Sequence, residues 1–350
     1  MARGLLESAS LPASDKIRVA VVGVGAFGRN HARVYRELAQ QDGNVELAGI
    51  VDADSERAAA VAQEYGTAAF ASLKELAQAG VEAASVAVPT VEHLTVARTL
   101  MEAGVDVLVE KPLAASLAEA EELIRIAQRT ARVAQVGHLE RFNPAVRATL
   151  PLVTQPLFFE VHRLSVFSPR ALDVDVVLDL MIHDLDIVLS FVKSPVKEVR
   201  AVGLPILSGK VDIANVRMEF DSGCVANFTA SRVSTEKVRK LRFFQPRQYI
   251  SVDYSRQDVL IFTVAGDSGK EAKAAQPHPS SPEIGVTRPP VTAEEPLHAE
   301  LRSFLDAVRQ RSKPVVSLED GRRALAVALD ILTQIREHGR RINLEGIVRQ

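Results

Sequence analysis

Residues Val19 to His31 run Val-Ala-Val-Val-Gly23-Val-Gly25-Ala26-Phe27-Gly28-Arg-Asn-His, an apolar strand leading through three glycines into a helix. No other feature constrains the fold as much. The first glycine permits a tight turn, the second lets the backbone approach a pyrophosphate with no Cβ in the way, and the third lets helix pack closely on strand. The pyrophosphate then rests on a helix N-terminus. A second apolar run, Val45-Glu-Leu-Ala-Gly-Ile-Val51, ends at Asp52, where a carboxylate can accept ribose hydroxyls. The chain is therefore expected to open with a Rossmann domain that binds NAD, because a carboxylate at this place repels the 2′-phosphate of NADP. Arg57, on the helix that follows, suits local charge pairs.

A chain of 350 residues is too long for one Rossmann unit and suits two domains. The expected division is a loose tail over 1–15, the NAD-binding domain over 16–138, and an α+β domain over 139–350 for substrate binding and subunit association. In the first domain, β-rich runs at 17–22, 45–51, 84–88, 106–109 and 133–136, with a short one near 68–70, alternate with helical stretches such as 28–40 and 91–103. That is the texture of a doubly wound parallel sheet. After His138 comes a helical stretch from Pro144, then 157–166, then a helix over 175–192. Runs at 197–206, 211–220, 223–233, 238–244, 248–253 and 257–264 read as a large meandering antiparallel sheet. Residues 265–296, rich in Pro, Gly and Ser, read as a long surface loop, and helices at 296–311 and 319–338 close the chain. So many strands with so few helices to cover them imply a homodimer or homotetramer built through this sheet.

Composition narrows the partners. A formal charge of −2 leaves no basic stripe for nucleic acid. Cys224 is the single cysteine, and no Cys/His cluster has zinc spacing, so no metal is expected. The most apolar later segment, Val174 to Val192, is broken by Asp175, Asp179, His183, Asp184 and Asp186, and the first residues lack the apolar core of a signal peptide. A cytoplasmic protein without membrane or nucleic-acid partners, acting on a small molecule, is expected.

Glu110-Lys111-Pro112 closes the strand Val105-Asp-Val-Leu-Val109, where an open α/β sheet presents its ligands. Pro112 restricts Lys111 to extended backbone, and Glu110 is placed to hold the ammonium in a fixed direction. Asp179 and His183 stand at i and i+4, on one helical face a turn apart. Burying an acid and an imidazole together for structure alone is costly, so the pair reads as a site.

These motifs, with Val88-Pro89-Thr90-x-x-His93 and Gly137-His-Leu-Glu-Arg141-Phe-Asn-Pro144, resemble the Gfo/Idh/MocA oxidoreductase family over nearly the whole chain. The resemblance implies that Lys111 contacts the reacting hydroxyl near the nicotinamide, that His183 is the general base, and that Asp179 binds substrate or orients His183. Gly23, Gly25, Ala26, Phe27, Gly28, Asp52, Pro89, Thr90, His93, Glu110 and Lys111 are then the expected cofactor contacts. The stretches from His138, His162-Arg163, Ser168-Pro169-Arg170, Asp173 to Asp184 and Glu295-Pro-Leu-x-x-Glu-Leu are similar to the branch that oxidises C3 of UDP-N-acetylglucosamine to a ketone in lipid A biosynthesis. Arg141, Arg163 and Arg170 are candidate diphosphate partners, since guanidinium forks match phosphate oxygens. Each reads equally well as a surface or interface arginine.

The expected function is thus NAD-dependent oxidation of a sugar hydroxyl, with UDP-N-acetylglucosamine first among substrates. A dehydrogenase of a free sugar or inositol is the alternative within the class. A non-catalytic nucleotide-sensing regulator is the alternative outside it, and the joint presence of Lys111, Asp179 and His183 argues against it.

Overall fold

The computed structural model describes residues 16–167, 174–264 and 284–343. The expected tail at 1–15, Arg170, and 265–283 of the expected loop lie outside the described residues. The first half forms a six-stranded sheet in the order β3-β2-β1-β4-β5-β6, all parallel. Its strands are β1 Ile17–Val22, β2 Val45–Val51, β3 Ala68–Ala69, β4 Ala83–Val86, β5 Asp106–Glu110 and β6 Ala134–Gly137. The helices α1 Gly28–Asp42, α2 Ser55–Tyr65, α3 Leu73–Gln78, α4 His93–Glu102 and α5 Leu117–Thr130 run between them. The strand order reverses between β1 and β4, which opens a ligand crevice at the C-terminal ends of those strands. Each of β1, β4, β5 and β6 ends there in a polar or glycine-rich loop. Val19 and Val21 bury into one core and Ala20 and Val22 into the other, one on each face of the sheet, as a strand covered on both sides requires.

The second half carries an eight-stranded sheet in the order β14-β13-β12-β11-β7-β10-β9-β8. Its members are β7 Phe158–Val166, β8 Val196–Leu204, β9 Ile213–Phe220, β10 Val225–Ser234, β11 Val238–Gln245, β12 Gln248–Asp253, β13 Asp258–Val264 and β14 Ile284–Thr287. The expected simple meander is corrected in one respect. β7 inserts between β10 and β11, parallel to β10 and antiparallel to β11, because the chain leaves the sheet after β7 and returns through a helix. β14 falls within the expected loop and pairs with β13 at the edge.

Strand alternation turns Phe159, Val161, Leu241, Phe243, Ala226 and Phe228 inward. There they meet α6 Pro144–Thr149, α7 Ile182–Phe191 and the long helix α9 Leu318–Arg341 in one core. α9 begins with a capping box formed by Ser317 and Asp320, which satisfies helix N–H groups that would otherwise lack partners. The helices α8 Pro296–Gln310 and α9 return toward the first half: Leu301, Phe304 and Leu305 of α8 join the core beneath β1 and α1, and Leu318 and Leu325 join the core on the other face. Among the described residues no helix is long and apolar enough to cross a membrane.

Candidate active site

The glycine loop after β1 has the three distinct environments that dinucleotide binding requires. Gly23 has φ +83°, and a Cβ on it would lie 2.7 Å from the Ala87 carbonyl oxygen. A Cβ on Gly28 would lie 1.8 Å from the Gly23 carbonyl oxygen, so helix and turn touch through bare backbone. Around Gly25, by contrast, nothing lies within 4 Å of the Cβ position. That open cradle beside the N-terminus of α1 fits a pyrophosphate. Ala26 and Phe27 border it, exposed, with the Phe27 ring edge-on to His31. Gly28→Ala is therefore expected to lower stability by ~1–3 kcal/mol or more, through backbone overpacking. Gly25→Ala is expected to leave the thermal midpoint unchanged while weakening NAD binding measured by calorimetry.

Asp52 closes β2 and turns its carboxylate toward this loop, accepting from the Val24 N–H at 2.7 Å and the Asp54 N–H at 2.9 Å. Arg57 donates to it at 2.6 Å. Burial works against the charge of Asp52, but Arg57 and the two N–H donors outweigh it and hold its pKa below the usual value. Pro89 is exposed and Thr90 partly exposed at the end of β4. His93 is buried and bridges the loops after β4 and β5, with Nε2 3.0 Å from the Val88 carbonyl oxygen and Nδ1 3.0 Å from that of Pro112. Its ring is a strut between these two loops, both nitrogens facing backbone carbonyls.

Glu110 is likewise turned inward. Its Oε1 lies 3.1 Å from Nε2 of the buried His31, whose Nδ1 lies 3.0 Å from the Ser85 hydroxyl. A Cβ at Gly137 would fall 2.5 Å from Glu110 Oε1, so β6 needs a glycine to admit this carboxylate. Glu110 therefore does not grip the Lys111 ammonium, contrary to expectation. Lys111 Nζ instead donates to the Asp179 carbonyl oxygen at 2.8 Å and stands 3.5 Å from Asp179 Oδ1. Lysine and aspartate are both partly exposed.

The segment holding Asp179 is also different from the regular helix expected. Val177–Met181 winds as a π-helix before α7 begins at Ile182. The wider turn breaks the i,i+4 alignment on which a shared face depends. Each acid of this segment finds its own cation: Asp179 meets Lys111, Asp184 holds Arg163 and Asp186 holds Arg141. None is recorded as a hydrogen-bond partner of His183. The His183 Nδ1 is buried without a hydrogen-bond partner. Burial, then the positive neighbours Lys111, Arg163 and Arg239 and the His138 ring, hold the pKa of His183 well below 6.5. The imidazole is thus neutral at neutral pH, ready to accept a proton, and protonates only as pH falls below 6.5. The acid limb of a kcat/KM profile is expected below that value, and a limb at or above it would contradict the assignment.

Arg163 lies inside the protein. It is 3% exposed, its Nε and Nη2 donate to Asp184 at 2.6 and 2.9 Å, and its Nη1 donates to Glu140 at 2.9 Å. Burial opposes its charge, but Asp184 and Glu140 outweigh burial and keep the guanidinium ionised. Arg141 forms a two-pronged pair with Asp186 at 2.6 and 3.0 Å. Both arginines expected to face a diphosphate are thus turned to carboxylates of α7, Arg141 through Nε and Nη2. Arg163→Ala is expected to destabilise the protein by ~3–5 kcal/mol, as loss of one partner from a buried ion pair does.

Two residues near the site were not among the expected ones. Arg239 lies opposite Arg163 in the β7–β11 register, partly exposed, and its charge is felt by both His183 and Asp179. His138, directly after β6, presents its ring edge-on to His183. Strand alternation from Leu241 and Phe243 points Arg239 inward and could have flagged it. His138 carries the same signal as Lys111, a polar residue at the C-terminal end of a parallel strand. Among the described residues no group of three or more His, Cys, Asp or Glu could hold a metal ion.

A two-part match to known proteins agrees with this geometry. Residues 17–138 match the oxidoreductase family with an NAD-binding Rossmann fold, and residues 158–251 match the Gfo/Idh/MocA C-terminal domain. The chain belongs to the Gfo/Idh/MocA family and is an NAD-dependent oxidoreductase acting on a CH–OH group. It is 37% identical over 316 residues to UDP-N-acetylglucosamine 3-dehydrogenase of Acidithiobacillus ferrooxidans, across 90% of this chain and 96% of that protein. A solved structure of that dehydrogenase superposes with a TM-score of 0.83 at 36% identity, covering 91% of this chain and 97% of the other. The chain is also 28% identical over 236 residues to scyllo-inositol 2-dehydrogenase (NAD(+)) of Bacillus subtilis, across 63% of this chain and 68% of that protein.

Proposed function

We propose that this oxidoreductase oxidises the C3 hydroxyl of UDP-N-acetylglucosamine to the 3-keto sugar. The observation that carries the chemistry is the pairing of Lys111, at the end of β5, with Asp179, while its charge acts on the neutral His183 ring. The substrate is carried over from the dehydrogenase matched along 90% of the chain. NAD, held by Gly23 to Gly28 and Asp52, supplies the hydride acceptor when bound. His183 Nε2 takes the hydroxyl proton, as a neutral imidazole can. The Lys111 ammonium, fixed by Asp179, stabilises the negative charge that develops on the substrate oxygen. Asp179, partly exposed, accepts from a neighbouring sugar hydroxyl. With Arg163 and Arg141 holding Asp184 and Asp186, we infer that Arg239, partly exposed and 4.0 Å from Glu140, meets the substrate diphosphate.

Purified protein with NAD is expected to reduce the cofactor with UDP-N-acetylglucosamine and not with UDP-glucose or inositol, read as absorbance of the reduced nicotinamide. Turnover of inositol in preference to the nucleotide sugar would replace the substrate assignment. His183→Ala is expected to keep NAD affinity while kcat falls ~10²–10⁴-fold. Near-normal turnover in that variant would remove His183 from the role of base.

The same reading places the enzyme in the cytoplasm, at an early step of lipid A biosynthesis, as a homo-oligomer. The outer face of the eight-stranded sheet supports the last point. Phe158, Phe244, Tyr249 and Phe262 form a row across four strands, with ring centroids 5.8, 4.9 and 5.2 Å apart. Phe244 remains 39% exposed, and an apolar row of this kind marks an association face. Light scattering is expected to give a dimer or tetramer, and Phe244→Asp to shift it toward smaller species. A monomeric wild type at micromolar concentration would refute the association.

A further inference from the structure

We propose that His138 is the positioning residue for His183, acting through one buried water held between the two imidazoles. This rests on the reading of His183 as the base and assigns the part that a carboxylate would ordinarily play. His138 follows β6, next to the strand that ends in Lys111, and is 1% exposed. Neither of its ring nitrogens has a hydrogen-bond partner, and neither has His183 Nδ1. Buried polar atoms almost always have partners, so three unpaired ring nitrogens in one ring pair call for a shared one. The rings stand edge to face with centroids 6.5 Å apart. One water, making two hydrogen bonds of ~2.8 Å, bridges atoms roughly 4.5–5.5 Å apart, a span that fits rings at this spacing.

The consequence concerns the tautomer. A neutral histidine that accepts a proton at Nε2 must carry its own hydrogen on Nδ1. Leaving that buried N–H unpaired carries the full desolvation penalty of the group, which would favour the opposite tautomer and place a hydrogen where the base needs a lone pair. Asp179 is directed at Lys111, Asp184 at Arg163 and Asp186 at Arg141, so each carboxylate of this segment is turned to its own cation and not to Nδ1. His138 can accept through the water because it is itself neutral. Burial lowers its pKa, with Arg141 and Lys111 acting in the same direction against Asp186 and Glu110. The groups facing His183 are Lys111, Arg163, Arg239 and His138 itself.

The test uses full-length His138→Phe, which keeps a ring and removes both nitrogens, beside His138→Asn and His138→Gln. With UDP-N-acetylglucosamine as substrate, His138→Phe is expected to lower kcat ~10–100-fold, with KM and NAD affinity little changed. The Asn or Gln variant is expected to recover part of the loss. Nitrogen NMR on protein labelled at its eight histidines, with the His183 signal identified by its absence in His183→Ala, gives a readout independent of turnover. His183 is expected to carry its hydrogen on Nδ1 in the wild type and to shift toward the Nε2–H form in His138→Phe. Full kcat in a folded His138→Phe, while His183→Ala is inactive, overturns this proposal and leaves the base in place. Normal turnover of His183→Ala overturns the base itself. If His138→Phe fails to fold, the wild-type tautomer decides: hydrogen on Nε2 refutes the proposal and hydrogen on Nδ1 supports it.

Discussion

The segment from Asp179 to Asp186 is the constraint on which the site depends. Three carboxylates in eight consecutive residues are claimed by three cations from separate parts of the fold: Lys111 at the end of β5, Arg163 within β7 and Arg141 just after β6. α7 is thereby tied both to the parallel sheet and to the antiparallel one. Burying charge is costly unless each charge is paired and hydrogen-bonded, and here the cost is met by geometry that also fixes where Lys111, Asp179 and His183 stand. The π-helical turn at Val177–Met181 belongs to the same arrangement. It offers the Asp179 carbonyl oxygen to Lys111 and sends Asp179 and Asp184 to different partners.

Pairing every acid leaves His183 among positive neighbours. Burial and the charges of Lys111, Arg163 and Arg239 all favour the neutral ring. The same field favours negative charge on a substrate oxygen brought between Lys111 and His183. In the proposed reaction one electrostatic pattern would serve both halves of proton removal, keeping the lone pair of the base unprotonated and stabilising the alkoxide as it forms. A carboxylate placed directly on His183 would raise the pKa of the ring and work against the first of these.

Much of this was legible in the sequence. The glycine spacing and the alternation of apolar runs specified β1, α1 and β2 closely, because a turn at positive φ and a buried parallel strand each leave a local signature. Lys111, Asp179 and His183 were also singled out, and the structure sets Lys111 against Asp179 with its charge acting on His183. What failed had a nonlocal cause. The alignment of Asp179 with His183 assumed a regular helix, and no residue in Val177–Met181 announces a wider turn. Arg163 and Arg141 carried the right chemistry for phosphate, but their buried acids sit on another element, beyond any local pattern. The insertion of β7 between β10 and β11, and the return of α8 to the first half, likewise depend on tertiary pairing that strand periodicity does not encode.

The cofactor end of the site shows how a local pair can carry a selective role. Asp52 stays ionised because Arg57 and two backbone N–H groups outweigh its burial. A fixed negative charge at the end of β2 opposes a 2′-phosphate. Arg57, a nearby cation that could have welcomed that phosphate, is engaged by Asp52 and lies 3.5 Å from Asp54. Its guanidinium would have to leave two carboxylates to reach a single phosphate, and the site would still retain the charge of Asp52. The carboxylate has room for further acceptance, since each oxygen offers two lone pairs and Oδ2 has only the Val24 N–H. A ribose hydroxyl can use that vacancy without breaking the Arg57 pair, so the arrangement that excludes the phosphate remains intact while the dinucleotide is bound.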